Sequence, residues 1–208
     1  YVGSLAGLLP GGPGHSHQAV RDIASMSGIP NLEMIQPLNE IETALAVKYA
    51  INSTNNIYIR LCSLPIDLPF EYPNKNEMKK GEGTVISEGE EIVIFCYSPL
   101  IFAELWKAKE LLIENNINPK LISFPWLNKF SSNWIKEQIK DFRHLITIDD
   151  HYIEGGFGEK FIVNIVKDLD ISSIKLSSIG VDEIPQSGTN EEVIDYHGLS
   201  SSKLRQKI

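Results

Sequence analysis

Apolar residues along the chain follow two alternating patterns. Short apolar runs predict strands over residues 2–9, 32–35, 57–62, 91–96, 120–124, 144–149 and 172–179. Apolar residues spaced three or four apart predict helices over residues 18–27, 41–51, 98–114, 133–140 and 157–168. Thr189 and Glu192 form a capping pair that predicts the start of one more helix. Strands separated by helices are typical of right-handed β-α-β units in a mainly parallel sheet covered on both faces.

One polar stretch interrupts this alternation. Residues 65–83, PIDLPFEYPNKNEMKKGEG, are rich in Pro, Asn, Lys and Glu and show no clean periodicity. Such a composition is typical of a linker. The sequence therefore predicts an α/β protein with two units, 1–64 and 84–208, joined by residues 65–83.

Composition excludes several classes of function. The net charge of −8 argues against a nucleic-acid partner, since no basic stripe is available to neutralise phosphates. No apolar run approaches the roughly 20 residues needed to cross a bilayer. Cys62 and Cys96 both lie in strand-like runs, so we expect free thiols in a reducing cytoplasm. The first residues lack a methionine and a basic segment, and we expect them to be a strand from within a longer chain.

The stretch GGPGHSHQ, residues 11–18, is the strongest candidate for chemistry. It places His15 and His17 just before a predicted helix, whose partly positive N-terminus disfavours the imidazolium form. A neutral imidazole can donate to or accept from a substrate oxygen. The alternative for His17 is a structural role in capping the helix and closing the loop. A His-x-His metal site lacks further ligands at a recognisable spacing.

Several residues of this region occur in the order found at the end of a known domain. They are Gly11, Gly12, Gly14, His17-Gln18, Ile29-Pro30-Asn31 and Pro37. This part of the chain resembles the end of the pyrimidine-binding domain of the transketolase family.

The second unit carries a related likeness. Glu88-Gly89-Glu90 leads into the strand IVIF, and Asp150-His151-Tyr152 is followed by Gly155-Gly156-Phe157-Gly158. This pattern resembles the transketolase C-terminal domain. The resemblance implies a partial pyrimidine-binding domain followed by a mainly parallel, doubly covered C-terminal domain.

The family likeness also implies a reaction and residues for it. Transketolases transfer a two-carbon ketol unit between sugar phosphates with thiamine diphosphate and Mg²⁺. By resemblance, His17 faces the reactive carbon of the cofactor and the sugar hydroxyls. His15 departs from the family, which carries a proline-like or small residue there, and is expected either to add a substrate contact or to be simply exposed. Arg60 stands where the family carries an arginine that grips the terminal phosphate of the substrate. The alternative for Arg60 is a surface arginine on an edge strand.

Some family features are absent from the sequence. No Gly-Asp-Gly followed by Asn at the family spacing occurs, and only 16 residues precede His17, too few to include the activating glutamate. We therefore expect the diphosphate and metal site in an N-terminal part of the same enzyme or in a separate N-terminal subunit. The isolated chain is expected to be inactive, and the complete enzyme to be a cytoplasmic, homodimer-type assembly.

Other assignments stay open. The chain fits a piece of a deoxyxylulose-phosphate synthase, the beta subunit of a 2-oxoacid dehydrogenase, or a non-catalytic assembly domain. Pro13 occupies a position where transketolases typically carry an aspartate that contacts a sugar hydroxyl, which puts sugar-phosphate specificity in doubt. The glycine turn at residues 155–158 could bind phosphate or serve close packing. The acidic residues beside it, Asp149, Asp150 and Glu154, with His151, suit either a divalent ion or a solvated turn.

Overall fold

The first sixty residues form a small parallel sheet with two helices. In chain order its elements are β1 (Val2–Gly3), α1 (Asp22–Met26), β2 (Leu32–Ile35), α2 (Glu40–Asn52) and β3 (Asn56–Arg60). β3 lies between β1 and β2 and pairs in parallel with both. The computed structural model describes all residues from 1 to 208.

The rest of the chain forms a five-stranded sheet with helices. In chain order its elements are β4 (Thr84–Ser87), β5 (Ile92–Cys96), α3 (Pro99–Ile113), β6 (Lys120–Ser123), α4 (Ser132–Ile139), β7 (His144–Tyr152), α5 (Phe157–Asp168), β8 (Lys175–Val181), α6 (Asn190–Tyr196) and α7 (Ser201–Lys207). The strand order is β4-β6-β5-β7-β8, and only β4 is antiparallel to its neighbour. The expectation of an α/β fold with mainly parallel sheets is confirmed.

Several elements differ from the sequence-based expectation. β4 and α7 were not predicted, and the strand predicted over 2–9 ends at Gly3. After Gly3 the chain turns inward, and the amide of Ala6 donates to the Leu61 carbonyl at 3.2 Å. Gly7 has a φ of +94°, and a Cβ there would lie 2.4 Å from an Asp150 carboxylate oxygen. Ala6, Leu8 and Leu9 are therefore buried as irregular chain rather than as a strand.

The two sheets share an apolar core. One cluster of buried side chains contains Met34 and Ile35 from β2 together with Phe95 from β5 and Trp126. Backbone hydrogen bonds run alongside this cluster: the amide of Gln36 donates to the Pro125 carbonyl at 2.8 Å. Burial of these side chains therefore stabilises both sheets at once.

Residues 65–83 contain no helix or strand but are hydrogen-bonded to helix α2. The Tyr72 hydroxyl donates to one Glu42 carboxylate oxygen, while the other accepts from the Leu38 amide at 2.7 Å. Burial raises the pKa of Glu42. The Asn39 side chain caps α2 by accepting from the Glu42 amide at 2.9 Å.

Both cysteines are free thiols. Cys96 is buried at the end of β5, and burial raises its pKa, whereas Cys62 is half-buried. None of the helices is both long and apolar enough to cross a bilayer.

Candidate active-site loop

The residues 11–18, which we call the histidine loop, form two successive turns. The Gly14 amide donates to the Gly11 carbonyl at 3.0 Å, and the His17 amide donates to the Gly14 carbonyl at 2.9 Å. His15 and His17 are both exposed. His17 Nδ1 lies 2.9 Å from Ser16 Oγ, and its Nε2 makes no hydrogen bond within the chain. The imidazole edge that could exchange a proton therefore faces solvent.

The helix expected directly after His17 begins later. The predicted helix over 18–27 is reduced to α1, which starts at Asp22. The carbonyls of Ala19 and Val20 instead accept from the amides of Gly7 and Tyr152, each at 3.1 Å. Because these carbonyls are engaged with distant parts of the chain, they cannot form the first turn of a helix. The helix N-terminus is thus not next to His17, and that argument for a neutral imidazole was wrong.

Arg60 occupies a position that its predicted role does not fit. Its side chain is 0% exposed. Nε pairs with Asp22 at 2.8 Å and Nη1 with Asp150 at 2.7 Å. Gln36 accepts a further hydrogen bond from Nη1, and the Ala19 carbonyl accepts one from Nη2 at 3.2 Å. Since protein acceptors surround the guanidinium and no face is open, it is not placed to grip a substrate phosphate. The alternative of a surface arginine on an edge strand is also wrong, because β3 is central and Arg60 is buried.

The acidic partner of Arg60 lies at the carboxyl ends of the second sheet. Asp150 also accepts from Ser98 Oγ at 2.7 Å and from the Tyr97 hydroxyl at 3.1 Å. Tyr97 and Ser98 directly follow β5. The strand order reverses between β5 and β7, and the crevice at such a reversal is where open α/β sheets usually bind ligands. In this chain the guanidinium of Arg60 fills that crevice and joins the two sheets.

The glycine turn at 155–158 is closed by an internal carboxylate. Asp149 accepts hydrogen bonds from the amides of Phe157 and Gly158, both at 2.9 Å. Burial raises the pKa of Asp149 to about 7 although these amides and the Tyr97 hydroxyl lower it. A Cβ at Gly158 would lie 2.4 Å from Thr147 Oγ1, so close packing explains this glycine. The amides that would bind a phosphate are already satisfied.

The His151 side chain connects helix α1, beside the first sheet, to strand β7 of the second sheet by hydrogen bonds and is not a metal ligand. Its Nε2 accepts from the Ala24 amide at 3.3 Å, so the proton is on Nδ1, which donates to the Tyr152 carbonyl at 2.7 Å. Burial lowers the pKa of His151. No group of three or more His, Cys, Asp or Glu side chains is arranged to hold a metal ion.

The ion pair between Arg60 and Asp150 was not predicted from the sequence. A lone arginine inside an apolar strand and an acidic pair ending another apolar strand are both costly when buried alone. Complementary charges at two strand ends were therefore a signal that the two segments meet there.

Family models match almost the whole chain. The transketolase pyrimidine-binding domain matches residues 1–63, and the transketolase C-terminal domain matches residues 81–204. Among curated proteins, a transketolase C-terminal section of Methanocaldococcus jannaschii is 27% identical over all of this chain and 64% of its own length. Transketolase-like protein 1 of Macaca fascicularis is 28% identical over 98% of this chain and 34% of its length. A 1-deoxy-D-xylulose-5-phosphate synthase of Halothermothrix orenii is 23% identical over 92% of this chain and 30% of its length.

Solved structures share the fold. A structure described as a split gene transketolase, an inactive beta4 tetramer, superposes with a TM-score of 0.84 at 22% identity, covering 99% of this chain and 64% of that one. Transketolase from Campylobacter jejuni gives a TM-score of 0.72 at 16% identity, covering 99% of this chain and 30% of that one. The chain thus spans less than two thirds of the relatives it matches. From the two family-model matches, the chain belongs to the transketolase family.

Proposed function

We propose that this chain is the C-terminal part of an enzyme that transfers a two-carbon ketol unit between sugar phosphates, with His17 as its proton-transfer residue. The observation that carries the proposal is the exposed Nε2 of His17 on a loop that is otherwise tied into the fold. An imidazole with one ring nitrogen free can take up and return a proton near neutral pH.

His17 acts on substrate oxygens in this proposal. Cleaving or forming a carbon–carbon bond next to a carbonyl moves a proton to or from the neighbouring oxygen, and Nε2 supplies or accepts it. The Ser16 hydroxyl, 2.9 Å from Nδ1, orients the ring. His15, two residues away and also exposed, offers a second contact to the sugar.

In this proposal the chain does not bind the cofactor by itself. Thiamine diphosphate, with Mg²⁺, supplies the carbon that carries the two-carbon unit in transketolases. The residues present do not fit its diphosphate and metal, because Asp149 and Asp150 are already hydrogen-bonded or ion-paired within the protein and no group of three or more His, Cys, Asp or Glu side chains is arranged to hold a metal ion. We therefore assign those contacts to an N-terminal part of the enzyme or a separate N-terminal subunit, in a cytoplasmic, homodimer-type assembly.

The division of the chain follows the same proposal. Residues 1–64 belong to the pyrimidine-binding domain, 65–83 form the linker, and 84–208 form the C-terminal domain. The shared core and the Arg60–Asp150 ion pair support a rigid connection between the two domains. The C-terminal domain would then stabilise the pyrimidine-binding part that carries His17.

A second candidate function has specific support. Several curated relatives, at 23–28% identity, are named 1-deoxy-D-xylulose-5-phosphate synthases, and Pro13 removes a side-chain acceptor near His17. The two reactions differ in one product, because ketol transfer releases no carbon dioxide, whereas condensation of pyruvate with an aldehyde does.

The complete enzyme should be given either a ketose phosphate with an aldose, or labelled pyruvate with an aldehyde. Ketol transfer without release of labelled carbon dioxide is the expected result. Release of labelled carbon dioxide from pyruvate would favour the synthase or the 2-oxoacid dehydrogenase subunit. No turnover with either pair would favour the non-catalytic assembly domain.

A further inference from the structure

The histidine loop rests against the segment Gln186–Asn190, which precedes and begins α6 in the C-terminal domain. The Gly11 amide donates to Asn190 Oδ1 at 3.0 Å, and the Gly188 amide donates back to the Gly11 carbonyl at 3.4 Å. Gln18 Nε2 donates to the Gln186 carbonyl at 3.1 Å. Both ends of the loop are therefore attached to one short segment more than 160 residues away along the chain.

Glycine in the loop allows this close approach. A Cβ at Gly11 would lie 2.5 Å from Val193 Cγ2 and 3.0 Å from the Gly188 carbonyl oxygen. A Cβ at Gly14, whose φ is +77°, would lie 2.1 Å from Ser187 Oγ. At Gly12 nothing lies within 4 Å of the corresponding position. Among these three glycines, the tight contacts thus occur only at the two that face the segment or the α6 helix that follows it.

The segment is itself firmly held. Thr189 and Glu192 form a complete capping box at the start of α6, with the Thr189 amide donating to Glu192 Oε2 at 2.9 Å. The Gln186 amide donates to Nε2 of the buried His197 at 3.4 Å. Burial lowers the pKa of His197, which favours the neutral ring that this hydrogen bond requires.

We propose that Asn190 is a positioning residue for His17: its side chain fixes the loop, so that the C-terminal domain sets the place of the catalytic imidazole. This inference rests on the proposed function of His17. A displacement of about 1 Å in a reacting group can cost up to about a hundredfold in rate. Loss of the Asn190 acceptor lets the Gly11 end of the loop move while leaving every group of His17 intact.

The test uses the complete enzyme with Asn190→Ala, with Asn190→Asp, which keeps an acceptor oxygen, and with Glu191→Ala as the matched control. Glu191 is the next residue of α6, and its side chain is exposed and makes no hydrogen bond within the chain. We expect Asn190→Ala to lower kcat about 10-fold with little change in KM, and the other two variants to stay near wild type. In the His17→Ala background, Asn190→Ala should lower kcat no further, because its effect passes through His17.

A second readout needs no activity. Hydrogen exchange of the Gly11 amide should become about 5–10-fold faster in Asn190→Ala, as expected for one lost hydrogen bond. Unchanged exchange, an unchanged kcat, or an additive effect in the double variant would each overturn the positioning role. If His17→Ala alone left kcat unchanged, the proposed function would fail, while the exchange rate would still decide whether Asn190 holds the loop.

Discussion

Replacing Arg60 with leucine removes the cation that joins Asp22 to Asp150 across the two sheets. The pairs have separations of 2.8 and 2.7 Å, and the arginine side chain is fully buried. Removing one partner of a buried ion pair leaves an uncompensated charge and typically costs about 3–5 kcal/mol. Asp150 keeps its hydrogen bonds from Tyr97 and Ser98, so we expect the lower half of that range.

Urea unfolding followed by tryptophan fluorescence and circular dichroism measures this loss at pH 7. Adding Asp150→Asn to Arg60→Leu should recover about 1–3 kcal/mol relative to the sum of the single changes, because the orphaned charge is removed. Arg21→Leu is the matched control: Arg21 is exposed and lies over the Tyr152 ring, a contact of about 0.5–1 kcal/mol. A free energy of unfolding for Arg60→Leu within 1 kcal/mol of wild type would refute the reasoning.

The carboxyl group of Asp149, the neighbouring glycines Gly11 and Gly12, and Pro13 give further predictions. Because the folded pKa of Asp149 is raised to about 7, the free energy of unfolding contributed by this group falls as pH rises from about 4 to about 7. Denaturation at several pH values should therefore show the stability of Asp149→Asn rising relative to wild type by up to about 1.4 kcal/mol per pH unit between about pH 4 and pH 7, with no further rise above about pH 7. A stability difference between the two proteins that does not change with pH would contradict this. Gly11→Ala should lower the free energy of unfolding by about 1–3 kcal/mol through overpacking, whereas Gly12→Ala should stay within about 0.5 kcal/mol. Equal changes in melting temperature for Gly11→Ala and Gly12→Ala would show that Val193 leaves room for a side chain at position 11. Pro13→Asp should shift kcat/KM toward ordinary ketose phosphates by about 1–3 kcal/mol, unless the wild-type enzyme already selects them fully.

Local patterns predicted the elements whose apolar residues form a clear run or helical spacing within the element itself. The helix Phe157–Asp168 matches its expected bounds, and the apolar strand Ile92–Cys96 lies where expected. Both depend on periodicity within the element, which one sequence displays fully.

Long-range contacts account for what the sequence did not predict. The helix after His17 is shortened because the Ala19 and Val20 carbonyls pair with Gly7 and Tyr152. Arg60 is buried because Asp150, 90 residues later, meets it. The Gly11 end of the histidine loop hydrogen-bonds to Asn190, 179 residues further along the chain. No window of local sequence contains both members of these pairs.

The most direct measurement of the central claim is kcat for His17→Ala in the complete enzyme, with His15→Ala beside it. Losing a positioned proton-transfer group should lower kcat by about 10²–10⁴-fold. His15→Ala should act mainly on KM, because a substrate contact present in both ground and transition states changes binding. A His17→Ala enzyme with wild-type kcat, or the same small loss in both variants, would contradict the assignment of His17 as the proton-transfer residue.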